Sequence, residues 1–298
     1  MKWILIYLVI FFHGDKIEDL FKRASKWRVG SAISEVEAAR DTLKQMGDSV
    51  ILKVLSRHIN TESLLKLRAL KAIMKEKHPL YMDSLRAYIL SRNDTIRISA
   101  IYLAGELKDT QSLPNLVKSL EDTSLRVRAN ALFAIGKIKD TTYGKYLCNA
   151  LKSKENREIV VALSAISKMG YPGCISSVYD KMHDRKSNSF VKYAALFALS
   201  SMKNTAFSFL KEKLLKETDF YDLSTFYETI GKMDKISSQD TFVARRIFKR
   251  AFKSPDPAIR IIAVRGLCKL SGEDVLKEFL FDETDKSVRF EIKRCLEK

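Results

Sequence analysis

The strongest constraint on this chain is that it repeats itself. The stretch Ile96-Arg97-Ile98-Ser99-Ala100-Ile101-Tyr102-Leu103-Ala104-Gly105 returns as Val127-Arg128-Ala129-Asn130-Ala131-Leu132-Phe133-Ala134-Ile135-Gly136, at a constant offset of 31 residues. Further copies begin at Val191 and Ile259, and weaker ones begin at Leu65 or end at Gly170 and Gly231. Following the position of Ala131 through the chain gives residues 69, 100, 131, 165, 195, 226 and 263, spaced by 31, 31, 34, 30, 31 and 37. A period of this length marks stacked supersecondary units, each burying its apolar face only against its neighbours. It excludes a pair of unrelated globular domains, which 298 residues would otherwise accommodate.

Within each unit, apolar residues such as Val127, Ala131, Ile135 and Ile138 fall at helical spacing. A second apolar stretch of L-x-x-L type, Leu113, Leu116, Val117 and Leu120, is separated from them by a short polar turn. The pattern predicts a helical hairpin per repeat. Asp109-Thr110 and Asp140-Thr141 are placed to cap the L-x-x-L helices, and Asp122 and Asp285 to cap the V-R helices. With 11 glycines and 5 prolines the chain lacks the turn residues that an all-β protein needs. The prolines, Pro79, Pro114, Pro172, Pro255 and Pro257, all fall at turns or first turns of helices.

The motif V-R-x-x-A-x-x-A-[LI]-G, followed by D-[TS] and an L-x-x-L helix, resembles the HEAT-repeat family in its phycobilin-lyase-like variety. The resemblance covers Ile33 to the C-terminus. It implies an all-α, right-handed α-solenoid of about eight hairpins whose second helices line a concave surface, and a scaffold role. The family also implies that the base recurring at Lys66, Arg97, Arg128, Lys192, Arg260 and Arg289 forms a ladder with acidic residues, for which Asp122, Asp256 and Asp285 are placed. A phosphate-binding ridge is the alternative use of the same bases.

Charge bears on the partner. Lys+Arg outnumber Asp+Glu by 53 to 36, a net charge of +17 spread along the whole chain. The densest cluster is Arg245, Arg246, Lys249, Arg250 and Lys253, interleaved with Phe242, Ile247, Phe248 and Phe252, on the hairpin with the widest spacing. Insertions in repeat arrays often mark a binding edge, and this cluster is the candidate binding site. A solvated basic face over a packed aromatic face is the simpler alternative. The expected partner is an acidic protein, met along the concave face or at this basic edge, with nucleic acid as the alternative.

Catalysis finds no support in the motifs: there is no G-x-S-x-G, Walker loop or dinucleotide fingerprint. No cofactor is expected. The histidines His13, His58, His78 and His183 are scattered, which gives no metal site. Cys148, Cys174, Cys268 and Cys295 form no C-x-x-C pair and read as small buried apolar residues. Cys268 and Cys295 fall in successive hairpins, without geometry from which to infer a bond. The run Ile4 to Phe12 is uncharged, of signal-peptide length and too short for an ordinary spanning helix. Residues 1–14 are therefore expected to be a signal peptide or N-terminal anchor, associating with the membrane through residues 3–12. A helical cap over 15–32 and the repeats over 33–298 would follow. Export to a bacterial periplasm or the inner membrane is the expectation; a cytoplasmic protein with a capping helix is the alternative.

Overall fold

The computed structural model describes residues 19–20, 22–24, 32–46 and 79–297. The expectations for residues 1–14, for Lys66 and for the copy at Leu65 lie outside these. The chain divides into two compact units, one ending at Ile138 and one beginning at Lys139. The first contains α1 (Ala32–Met46), α2 (Pro79–Tyr88), α3 (Asp94–Glu106), α4 (Leu113–Lys118) and α5 (Leu125–Ile138). The second opens with α6 (Gly144–Ala150), α7 (Asn156–Met169), α8 (Ile175–His183), α9 (Ser189–Ser200) and α10 (Asn204–Leu214). It closes with α11 (Phe220–Lys232), α12 (Ser238–Ala251), α13 (Pro257–Lys269), α14 (Glu273–Asp282) and α15 (Lys286–Leu296). No strand occurs among the described residues, and no helix among them is long and apolar enough to cross a membrane. Of the expected cap, residues 22–24 are helical, and the Ala24 carbonyl accepts a hydrogen bond from Arg40 Nε of α1 at 3.0 Å.

Of the odd helices from α3 onward, α3, α5, α9, α13 and α15 carry the V-R pattern and α7 and α11 weaker copies of it, and within each unit they lie side by side. In the first unit α3 packs on α5; in the second, α7, α9, α11, α13 and α15 follow one another. Each even helix packs against the odd helix that comes after it. The packed hairpin therefore starts with the L-x-x-L helix and ends with the V-R helix, one helix out of phase with the sequence reading. Small residues set how closely the odd helices approach. Ala100, Ala131, Ala195 and Ala263 are fully buried, and a Cβ on Gly105 of α3 would lie 2.9 Å from Ala134 Cα of α5. In α7 the burial pattern puts Ala162, one turn before Ala165, in the place of Ala131.

Caps start the odd helices. Asn93 accepts from the N–H groups of Thr95 and Ile96, Asp256 from Ala258, and Asp285 from Ser287 and Val288. Left-handed residues close them: Lys108, Lys139, Gly170, Lys203 and Ser271 have φ of 50, 65, 67, 48 and 54°. Such a residue turns the chain out of the helix within one position, at a steric cost that only glycine escapes. The core of the second unit runs through stacked rings. Phe207 and Phe226 lie 4.9 Å apart, and Phe252 and Phe279 are 3.9 Å apart and parallel.

All four cysteines are paired. Cys148 of α6 joins Cys174, and Cys268 of α13 joins Cys295 of α15, with Cα separations of 5.7 and 5.9 Å. These separations suit a disulfide and correct the reading of the thiols as isolated apolar residues. Each bond links consecutive hairpins of the second unit.

Candidate functional site

Helix α12 carries the predicted basic cluster. Ser237 starts it, its hydroxyl accepting from the Asp240 N–H and donating to the Asp240 carboxylate. Ala244, Ile247, Phe248 and Ala251 form its buried face. Gly266 on α13 is required there, because a Cβ at that position would lie 2.4 Å from the Phe248 ring.

On the opposite face, Arg246, Lys249, Arg250 and Lys253 stand around a bowl of about 310 Å³ that is also lined by Leu215 and reaches down to the buried Ile247. Four cations converge on an apolar floor. Arg250 is fixed by a 2.8 Å hydrogen bond to the Leu215 carbonyl, and Lys249 has only a distant carboxylate, Glu278 at 3.8 Å. Among the described residues Arg246 and Lys253 make no hydrogen bond or ion pair. Lys249 and Arg250 also sit in the last turn of α12, where the helix dipole favours positive charge. Arg245, grouped with these residues by sequence, does not line the bowl: its guanidinium donates to the Leu270 and Ser271 carbonyls and fastens α12 to the turn after α13.

The recurring bases make structural contacts. Arg97 bonds Asp94 at 2.7 Å and Asp122 at 3.1 Å, and Arg128 donates to the carbonyls of Asp122 and Thr123. Arg260 forks onto Glu283 at 2.9 and 3.1 Å, and Arg289 donates to the Leu280 and Glu283 carbonyls. Lys192 lies 5.3 Å over the Tyr221 ring. The acid facing Arg260 is Glu283, while Asp256 and Asp285 turn to the N–H groups of their own helices.

Two of the buried carboxylates, Asp109 and Asp222, have shifted pKa values that the sequence did not announce. Asp109 is desolvated, which alone would raise its pKa. The fork of Arg86 at 2.9 and 3.0 Å and the Ser112 hydroxyl at 2.6 Å more than offset this and hold it below its ordinary value. Asp222 shows the opposite balance. Its oxygens meet His183 Nε2 at 2.8 Å and the Tyr179 hydroxyl at 3.0 Å, yet burial dominates and its pKa is raised. Burial, and then the charge of Asp222, push the Tyr179 phenol up. His183, Asp219 and Asp222 lie close enough to suggest a metal centre. Both Asp222 oxygens are already hydrogen-bonded and Asp219 caps α11, so the group serves to tie α8 to α11.

Residues 82–167 match the family model of HEAT repeats. No curated protein matches the sequence. Among solved structures, a karyopherin, Kap95p in its complex with RanGDP, is 13% identical with a TM-score of 0.58. That likeness covers 94% of this chain and 44% of the karyopherin. An engineered protein is 18% identical at a TM-score of 0.50, with 95% and 84% covered. The complex of CpcE and CpcF of phycocyanin lyase from Nostoc is 14% identical at a TM-score of 0.42, covering 75% of this chain and 97% of that one. Residues 82–167 thus carry HEAT repeats, and the fold of the chain is that of the all-α HEAT-like solenoids.

Proposed function

We propose that this protein is a non-enzymatic scaffold that holds an acidic protein partner at the bowl on α12. The observation that carries the reading is the convergence of Arg246, Lys249, Arg250 and Lys253 on one cavity, with two of the four lacking any partner among the described residues. Cations left unpaired around a concave apolar floor gain most from a carboxylate brought by another chain. The test is titration of the full chain with poly-glutamate. Binding should weaken about tenfold in the double variant Arg246→Ala with Lys253→Ala, the loss expected for two contacts of 0.5–1 kcal/mol each. Unchanged affinity would refute the bowl as the site. Tighter binding of duplex DNA, with the steep salt dependence of counterion release, would favour the nucleic-acid reading instead.

The proposed location is outside the cytoplasm, periplasmic or held at the inner membrane. Its support is the pairing of all four cysteines, since disulfides persist in oxidising compartments and are rare in reducing ones. The apolar run at residues 3–12 points the same way. Cell fractionation with alkylation of free thiols checks it: cytoplasmic protein with four reactive thiols contradicts export.

A further inference from the structure

Along the odd helices of the second unit lies a surface that the repeat itself does not require. Phe190, Tyr193 and Phe197 of α9 stand at i, i+3 and i+7, so they share one face, and they are 76, 50 and 51% exposed. Lys232, at the end of α11, lies 5.6 Å over the Phe197 ring and donates to the Ser200 hydroxyl at 2.7 Å. On α13, Lys269 lies 5.0 Å over the Tyr227 ring, its ammonium crossing the α11 backbone at Gly231, where a Cβ would come within 2.4 Å of Nζ. Between α11, α13 and α15 the same surface deepens into a groove of about 580 Å³. There Arg265 and Arg294 share a single carboxylate, Glu291.

Bases outnumber acids on this face: Lys232, Lys269, Arg265 and Arg294 stand against Glu228 and Glu291. Lys137 of α5, which is equivalent to Lys232 and Lys269, has its counter-ion in Glu106 at 2.5 Å. Among the described residues neither Lys232 nor Lys269 has a carboxylate within ion-pair distance. Burial lowers the pKa of Lys232 and outweighs the opposing charge of Glu228, which lies near it without forming an ion pair. A row of exposed rings on α9, continued on α11, α13 and α15 by cations that outnumber the carboxylates, calls for a partner with both apolar side chains and carboxylates.

We propose that the face of α9, α11, α13 and α15 docks an extended protein segment that carries both acidic residues and aromatic or aliphatic ones. Packed helices lie 8–10 Å apart and an extended chain advances about 3.3 Å per residue, so each helix addresses about three residues. The four helices together read a segment of about twelve. This rests on the reading of the protein as a protein-binding scaffold but uses a different surface from the α12 bowl.

The experiment is fluorescence anisotropy on the full chain with a labelled peptide of four Glu-Phe-Ser units. A Lys-Phe-Ser peptide and an oligothymidine strand of equal length are the comparisons. The acidic peptide should bind saturably and the other two more weakly. Phe190→Ser with Phe197→Ser, and separately Lys269→Gln, should each lower its affinity about fivefold or more, as truncation of an interface anchor does. Arg246→Ala with Lys253→Ala, which removes the unpaired cations of the bowl, should weaken poly-glutamate binding more than binding of this peptide. Circular dichroism melts of the variants should match that of the parent protein, showing that the loss is not unfolding. Undiminished peptide binding in the α9 and α13 variants, or tighter binding of the oligothymidine, would overturn the proposal. If poly-glutamate still binds the bowl in that case, the scaffold reading survives and this face is dismissed. If poly-glutamate also fails to bind, both fall.

Discussion

Helices α5 and α9 are two copies of one element put to different use. Val127, Ala131, Leu132, Ala134 and Ile135 of α5 correspond to Val191, Ala195, Leu196, Ala198 and Leu199 of α9, and all ten are buried. The solvent side diverges. Exposed Arg126 and buried Ala129 of α5 are replaced by the exposed Phe190 and Tyr193 in α9, and Phe133, half-buried in α5, becomes the exposed Phe197. The base at the end of α5, Lys137, meets Glu106, while Lys232 beside α9 meets only a hydroxyl and a ring. The repeat thus fixes the positions that stack hairpins and leaves the solvent positions free, and the two helices differ where a partner would be chosen.

The largest effect should come from attacking what the two copies share. Ala131→Glu and Ala195→Glu each place a charge in a closed helix contact, and each should cost about 3–5 kcal/mol, as an unpaired buried charge does. Thermal unfolding followed by circular dichroism should show both variants collapsing to a similar degree. An unchanged melt in either would mean the shared register is wrong.

The cystines separate the units next. All four cysteines belong to the second unit, and the bonds span 26 and 27 residues. Constraining a loop of that size stabilises by about 3.5 kcal/mol in the chain-entropy account. Reductant should therefore lower the hydrogen-exchange protection of α7 to α15 and leave α3 and α5 untouched. Equal loss in both units would contradict this.

Acidity should act on the units with opposite sign. Asp109, in the first, has a lowered pKa, so its contribution is present above the ordinary value of 3.8 and is lost as pH falls through its folded value. Asp222, in the second, has a raised pKa. Its contribution is full below 3.8 and is lost as pH rises through its folded value. Asp109→Asn should flatten the acid limb of melting temperature against pH, and Asp222→Asn the limb above it. The reverse pattern would contradict the assignment. The smallest expected change is a gain: Lys139→Gly relieves a non-glycine residue at φ 65° and should stabilise by about 1 kcal/mol in denaturant titration.

Much of this architecture is legible in the sequence because Val127, Ala131 and their copies are repeated for packing reasons alone. The phase of the hairpin is not legible there. The turns at Asp109 and Asp122 are both short, and only side-chain packing decides which of them joins the paired helices. The acid facing Arg260 was hidden for a related reason. A short Asp beside a helix start turns to its own N–H groups, as Asp256 and Asp285 do, while the longer Glu283 reaches across. Within the basic cluster, helical spacing put Arg245 beside Lys249, but a nearby pair of free carbonyls captured its guanidinium. The cystine spacings come close to the repeat period, which brings neighbouring hairpins together without revealing which side chains face each other. Phe197 went unnoticed as a surface residue because it aligns with Phe133 and reads as part of the repeated core.

The central claim is that shared positions build the scaffold and divergent solvent positions choose the partner. It is tested most directly by giving α9 the residues that α5 carries at two of these positions, with Phe190→Arg and Tyr193→Ala in one protein. Binding of the Glu-Phe-Ser peptide and thermal unfolding are then measured on the same sample. The first substitution adds a positive charge, which by itself would favour an acidic peptide, so any loss reports the missing rings. The account predicts a melting temperature within about 2 °C of the parent, as for surface changes in a chain of this size. It also predicts at least about a fivefold loss of affinity. Unfolding of the variant, or peptide affinity equal to the parent's, would contradict it.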